Sequence, residues 1–100
     1  MADELTGKQR RYLRSLGHHL TPVVQVGHEG ISDALARQTD HQLAVHELIK
    51  VRIGESAPDD RHQSAAALAE KTGAVVAQVL GRTALLYRPR KDNPGIVLPK

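Results

Sequence analysis

Thr21-Pro22-Val23-Val24-Gln25-Val26-Gly27-His28-Glu29-Gly30-Ile31-Ser32 is the stretch that decides the fold. Proline disfavours helical backbone at the residue before it, so Thr21-Pro22 enters extended. Val23–Val26 is a short β-branched run and reads as a buried strand. Gly27-His28-Glu29-Gly30 follows as a loop, and Ser32 is a good helix N-cap. A strand, a glycine-bounded turn and a helix start form the opening of a βαβ unit. The next strand is therefore expected parallel to the first.

Downstream, the helix runs from Ser32 to about His46, with Ile31, Leu35, Ala36, Thr39, Leu43 and His46 on a 3.6-residue period. Leu48-Ile-Lys-Val-Arg-Ile53 alternates as a strand does, with Leu48, Lys50 and Arg52 on one face and Ile49, Val51 and Ile53 on the other. Asp59 or Asp60 caps a third helix through the alanine-rich stretch 65–69, and Gly73 stands at its C-terminal end. Ala74–Leu80 and Thr83–Arg88 are two strands around Gly81-Arg82, a pair suited to a type II′ hairpin turn. Upstream, Thr6 and Gln9 have the spacing of a capping box. The helix they open places Leu5, Tyr12, Leu13, Leu16 and Leu20 within an arc of about 100°, expected to be buried. Lys8, Arg10, Arg11 and Arg14 fall within about 160° on the other side, expected to face solvent. Gly17-His18-His19 ends this helix.

The expected architecture is a single α/β domain of order α-β-α-β-α-β-β. It has a mixed four-stranded sheet with helices packed on it, and the final hairpin is added as an antiparallel edge. Residues 1–4 are expected to be disordered, 5–88 to form the domain, and 89–100 to form an extended basic tail. A chain of 100 residues has room for one core. It holds no Cys, which excludes disulfides, Cys-ligated metals and thiol nucleophiles. No apolar run is long enough for a membrane span, and the acidic Met-Ala-Asp-Glu start is unlike a signal peptide. A cytoplasmic monomer with no membrane partner is expected.

Charge is distributed unevenly. Residues 31–70 hold four Lys/Arg against seven acids. Residues 71–100 hold six against Asp92, and residues 5–30 hold four against Glu29. If the fold brings the two ends together, one face is basic and suits a polyanion. Four like charges within seven residues of one helix repel each other, so a plain solvated face does not account for them well. Arg88, Arg90 and Lys91 repeat the pattern at the end of the last strand, and Arg82 adds a cation in the hairpin turn. In the Gly27–Gly30 loop, glycines permit close backbone approach to a phosphate, beside a helix N-terminus that favours anions. The plain alternative is that any tight strand-to-helix turn carries two glycines.

Six histidines invite a metal reading, but His18-His19 are adjacent and His41 and His46 are five apart, so neither pair aligns on a helix face. No metal or other cofactor is expected. There is no GxGxxG, GxxxxGK[ST] or GxSxG, and Ser15, Ser32, Ser56 and Ser64 all have cap, helix or loop explanations. No catalytic set and no small-molecule substrate site emerge. Tyr12 and Tyr87 are the only aromatics, too few for the stacking platforms of an RRM or an OB-fold. Any nucleic-acid binding would work through backbone amides and Lys/Arg on phosphate and sugar.

Together these blocks resemble the CRM-domain family (chloroplast RNA splicing and ribosome maturation), closest to its small bacterial stand-alone YhbY type. The matching stretches are Leu5-Thr-Gly-Lys-Gln-Arg-Arg-Tyr-Leu-Arg14, Leu20-Thr-Pro-Val-Val24 with the Gly27–Gly30 loop, and His46-Glu-Leu-Ile-Lys-Val51. Thr72-Gly-Ala74, Gly81-Arg-Thr-Ala-Leu-Leu-Tyr-Arg-Pro89 and the ending Ile96-Val-Leu-Pro-Lys100 complete them. The resemblance implies a fold similar to the C-terminal domain of translation initiation factor three. It also implies binding to structured RNA and association with large-subunit rRNA or pre-ribosomal particles. It directs attention to Gly27, His28, Glu29 and Gly30, with Lys8, Arg10, Arg11, Arg14, Arg82, Arg88, Arg90 and Lys91 as the flanking cations. Where family members often carry Lys or a small polar residue, this loop has His28 and then the negative Glu29. The rival reading is a protein-interaction module that docks on a ribosomal protein or assembly factor through the acidic middle helices.

Overall fold

The computed structural model describes residues 5–100, so the disorder expected of residues 1–4 lies outside the described residues. The elements are α1 (Gly7–Gly17), β1 (Pro22–Val26), α2 (Asp33–His46), β2 (Leu48–Ile53), α3 (Arg61–Thr72), β3 (Val75–Leu80) and β4 (Thr83–Tyr87), in the expected order. The helix starts follow from their caps. Thr6 Oγ1 accepts from the Gln9 N–H at 3.1 Å, and Gln9 Oε1 accepts from the Thr6 N–H at 3.1 Å, a complete capping box. Ser32 Oγ accepts from Leu35 N at 3.1 Å, and Asp60, rather than Asp59, accepts from Gln63 N at 2.8 Å.

The sheet order is β1-β2-β4-β3. β1 and β2 are parallel, while β4 is antiparallel to both β2 and β3. The hairpin therefore does not simply extend an edge: its second strand inserts beside β2 and leaves β3 outside. The reason lies in composition. Ala84, Leu85, Leu86 and Tyr87 are all buried, as a strand covered on both faces requires. In the turn, Gly81 adopts φ 57° while Arg82 stays at negative φ, the combination that distinguishes type II′ from type I′.

α2 and α3 cover one sheet face, where Val24, Val26, Ile49, Val51, Ile53, Ala84 and Leu86 meet Leu43, Ala65, Leu68 and Ala69. α1 covers the other, where Leu13 meets Leu48, Ala77, Leu85 and Tyr87. Here the structure corrects the expected burial of α1. Leu13 and Gly17 are its buried residues, whereas Tyr12, Leu16 and Leu20 stand 36–37% exposed. Gly17 is the cause. A Cβ there would lie 2.7 and 2.9 Å from the two methyls of the buried Leu85, so this point of the helix backbone rests directly on the sheet. Arg10 completes the seat. The β3–β4 register shifts between Val76 and Gln78, and Arg10 Nη1 donates to the carbonyls of Val76 at 2.7 Å and Ala77 at 3.3 Å. The guanidinium thus satisfies edge-strand carbonyls and does not belong to the solvent-facing row in which the helical arc placed it.

Residues 89–100 form no helix or strand but are bound to the body. Ile96 and Leu98 pack with Leu5 against the α1-side core, and Gln9 Nε2 donates to the Pro99 carbonyl at 3.1 Å. The anchor is Glu47, the residue between α2 and β2. It is 1% exposed and holds φ 66°. Its carboxylate accepts from the N–H groups of Arg90 (2.7 Å), Gly95 (2.7 Å) and Ile96 (3.0 Å). Burial pushes this carboxyl up, but those three donors and the Arg90 charge outweigh it and hold it below the ordinary carboxylate value. Burial, with the Glu47 charge, raises Tyr87.

Candidate nucleic-acid interface

The Gly27–Gly30 loop is a tight turn closed by Gly30 N–H donating to the Gly27 carbonyl at 3.0 Å. Its two glycines have different duties. Gly30 is buried at φ 69°, with a would-be Cβ 3.0 Å from Pro58 Cγ, so the fold itself requires it. At Gly27 a Cβ would meet nothing within 4 Å, which leaves open space over that backbone. His28 and Glu29 are exposed at the tip. Beyond them Ser32 caps α2, and Asp33 in its first turn pairs with Lys71 at 3.3 Å. The loop's own side chains thus include one acid, Glu29, and no Lys or Arg, so positive charge must come from its neighbours.

The sheet supplies those neighbours. Gly54 N–H donates to the Val26 carbonyl at 2.9 Å, and Ile53 N–H to the Arg82 carbonyl at 2.7 Å. Arg82 Nη1 reaches the Gly54 carbonyl at 3.4 Å. The hairpin turn, the end of β2 and the glycine loop therefore share one end of the sheet, and Arg82 lies there. Arg52 is exposed in β2, opposite Gln25 and Thr83. Lys50, two residues earlier on the same face, lines a shallow cleft with Arg14, His18, Gln78 and Thr83. Lys50 and Arg52 were not among the expected cations, although the alternation of 48–53 had already put them on one face. Lys8, Arg11 and Arg14 are exposed along α1, and among the described residues none of them forms an ion pair.

Arg88, Arg90 and Lys91 lie at the opposite end, just past Tyr87, which pairs with Leu48 and Val75 at the starts of β2 and β3. Arg88 is committed to Asp40 and to the Thr72 carbonyl at 2.7 Å. Arg90 Nη1 donates to the Val45 carbonyl at 2.9 Å and Nη2 to that of Asn93 at 3.3 Å. Of the three, Lys91 alone is exposed. The expected cations thus divide: Arg82 lies at the glycine-loop end, Lys8, Arg11 and Arg14 are exposed along α1, Arg10 is held by β3 carbonyls, and Arg88 and Arg90 fasten the C-terminal segment. Among the described residues no cluster of three His, Asp or Glu could hold a metal, and no helix is long and apolar enough to cross a membrane.

A three-helix, four-stranded α/β domain with a glycine-bounded β1–α2 loop and a cationic first helix is the class of structure this chain represents. The chain belongs to the CRS1/YhbY (CRM) domain family, whose model matches residues 5–88. It is 42% identical to "Probable RNA-binding protein YqeI" of Bacillus subtilis over 95% of this chain and 99% of that one. It is 33% identical to a Haemophilus influenzae protein named "RNA-binding protein" over 96% of each chain. A solution structure from Staphylococcus aureus, of a protein described as a candidate RNA binder, superposes with a TM-score of 0.81. That match has 43% identity and covers 96% of this chain and all of the other.

Proposed function

We propose that this chain is a non-catalytic protein that binds structured ribosomal RNA and assists assembly of the large ribosomal subunit. The observation that carries the reading is the run of exposed Lys8, Arg11 and Arg14, without acidic partners among the described residues, on the same side of the sheet as Lys50 and Arg52. Arg82 and the open backbone over Gly27 lie at the adjoining end. Phosphate contacts of this kind hold an RNA backbone in place and carry little base information. RNA binding is also what the names of the relatives state for those proteins. Sedimentation of cell lysate through a sucrose gradient tests the reading. The protein is expected in precursor large-subunit fractions and is expected to leave them after RNase treatment. Retention on the particle after RNase would instead favour docking on a ribosomal protein.

A further inference from the structure

The rotation of α1 leaves a surface that phosphate binding does not use. Arg10 lies on the flank of α1 that faces β3. At about 100° per residue, Tyr12 and Leu16 fall on the opposite flank, beyond Leu13, toward β2 and β1. Leu20 follows in the turn closed by its N–H on the Gly17 carbonyl, and Val23 lies three residues on in the edge strand. Each of these four side chains is 36–37% exposed. On the N-terminal half of α1 the same flank is covered, because Leu5, Ile96 and Leu98 pack there and Pro99 is held by Gln9. The open strip thus begins where the C-terminal segment stops, and it runs toward the glycine loop.

We propose that the strip Tyr12–Leu16–Leu20–Val23 seats unpaired nucleotides of the RNA, their bases against the apolar side chains and their phosphates on Lys8 and Arg11. This deepens the RNA-binding reading and rests on it. The charge pattern selects the occupant. On α1 the strip is bordered by exposed Lys8, about 40° around the helix from Tyr12, with exposed Arg11 on the outer face, and it carries no acid, so the occupant is negative as well as apolar. An unpaired nucleotide is both, with a phosphate on one side and a π-face on the other. A duplex turns its bases inward and would leave the strip uncovered. Pairing of another chain with the free edge of β1 is opposed by Pro22, which has no N–H to donate, and by the register shift between Pro22 and Val24.

Tyrosine emission reads this directly. The protein has no Trp, and its two tyrosines are Tyr12, exposed, and Tyr87, 5% exposed. Single-stranded polyuridylate is expected to quench the share of emission that Tyr12→Phe identifies by difference, and poly(A)·poly(U) duplex to leave that share intact. Tyr12→Ala is expected to weaken polyuridylate binding by about tenfold or more. Tyr12→Phe, which keeps the ring, should retain it. Thermal unfolding of both variants should match the parent, because the ring is at the surface. Unchanged affinity of a folded Tyr12→Ala protein, or unquenched Tyr12 emission at saturation, overturns the seat while leaving RNA binding in place. Failure of both RNAs to bind overturns the RNA reading itself and the seat with it. A dimer in sedimentation equilibrium that Leu16→Lys dissociates would assign the strip to a second copy of the chain and overturn the proposal.

Discussion

Glu47 shows how one residue can hold a fold together. A side chain is uncommon at positive φ, and a carboxylate rarely tolerates burial, yet both occur here because three backbone donors converge on it. Its folded pKa lies below the unfolded value, so its stabilisation is fully present above the unfolded value and is lost as pH falls through the folded one. Acid titration of the melting temperature should therefore show a decline beginning near pH 4.5 and continuing below it. Glu47→Gln should lower stability at neutral pH by about 2–3 kcal/mol and flatten that decline. An unaltered acid limb in the variant would show that other carboxylates govern it. The loop glycines give a second residue-scale contrast. Gly30→Val should destabilise the fold by about 1–3 kcal/mol through strain at φ 69° and contact with Pro58. Gly27→Val should fold normally and weaken RNA binding, because only there would the new side chain fill the space a phosphate backbone needs. Equal RNA affinity for Gly27→Val and the parent would reduce the loop to a turn.

At the scale of elements, α1 carries one structural cation, Arg10, beside the three exposed cations of the proposed RNA face. Changing Lys8, Arg11 and Arg14 together to Gln should alter stability by no more than about 0.5 kcal/mol. It should weaken many RNAs by similar factors, since phosphate contacts carry little sequence information. Arg10→Ala should do the opposite, costing about 1–2 kcal/mol of stability by stripping the Val76 and Ala77 carbonyls of their donor, with little effect on RNA. Denaturant unfolding and filter binding of the two variants decide between these outcomes. The elements themselves were legible because their signals are local. Thr6, Ser32 and Asp60 cap helices three residues ahead of their partners, and the unbroken Ala84–Tyr87 run marks a strand buried on both sides. The orientation of α1 was not legible. A hydrophobic arc counts Tyr12 and Leu16, whereas the seat is set by Gly17, which has no side chain to count, and by an arginine whose acceptors are 66 and 67 residues away. The site was only partly readable for the same reason. Arg88 and Arg90 look like free cations in sequence, while their partners Asp40 and Val45 are 48 and 45 residues distant.

For the whole molecule, the net charge of +3 understates the local charge of the two ends of the chain, because the acids are concentrated in its middle. If four to six phosphates are contacted, the logarithm of affinity should fall with the logarithm of salt at a slope of about −3 to −5. Arg88→Gln should leave that slope unchanged while lowering stability, since the side chain is already spent on Asp40 and Thr72. A slope near zero on structured rRNA fragments would rule out phosphate contacts as the source of affinity. The strand order has a further consequence, for the time course of folding. β4 leaves the ribosome after β1, β2 and β3, yet it stands in the middle of the sheet, and it must close against β2 across the chain separating Leu48 from Tyr87. Until it arrives, β1 with β2 and β3 with its helix are fragments with no common sheet, and each presents an open edge. Loop closure on that scale slows folding more than it costs stability. A nascent chain that stalls before residue 83 would hold α1, α2 and α3 in full and none of the strand that unites them.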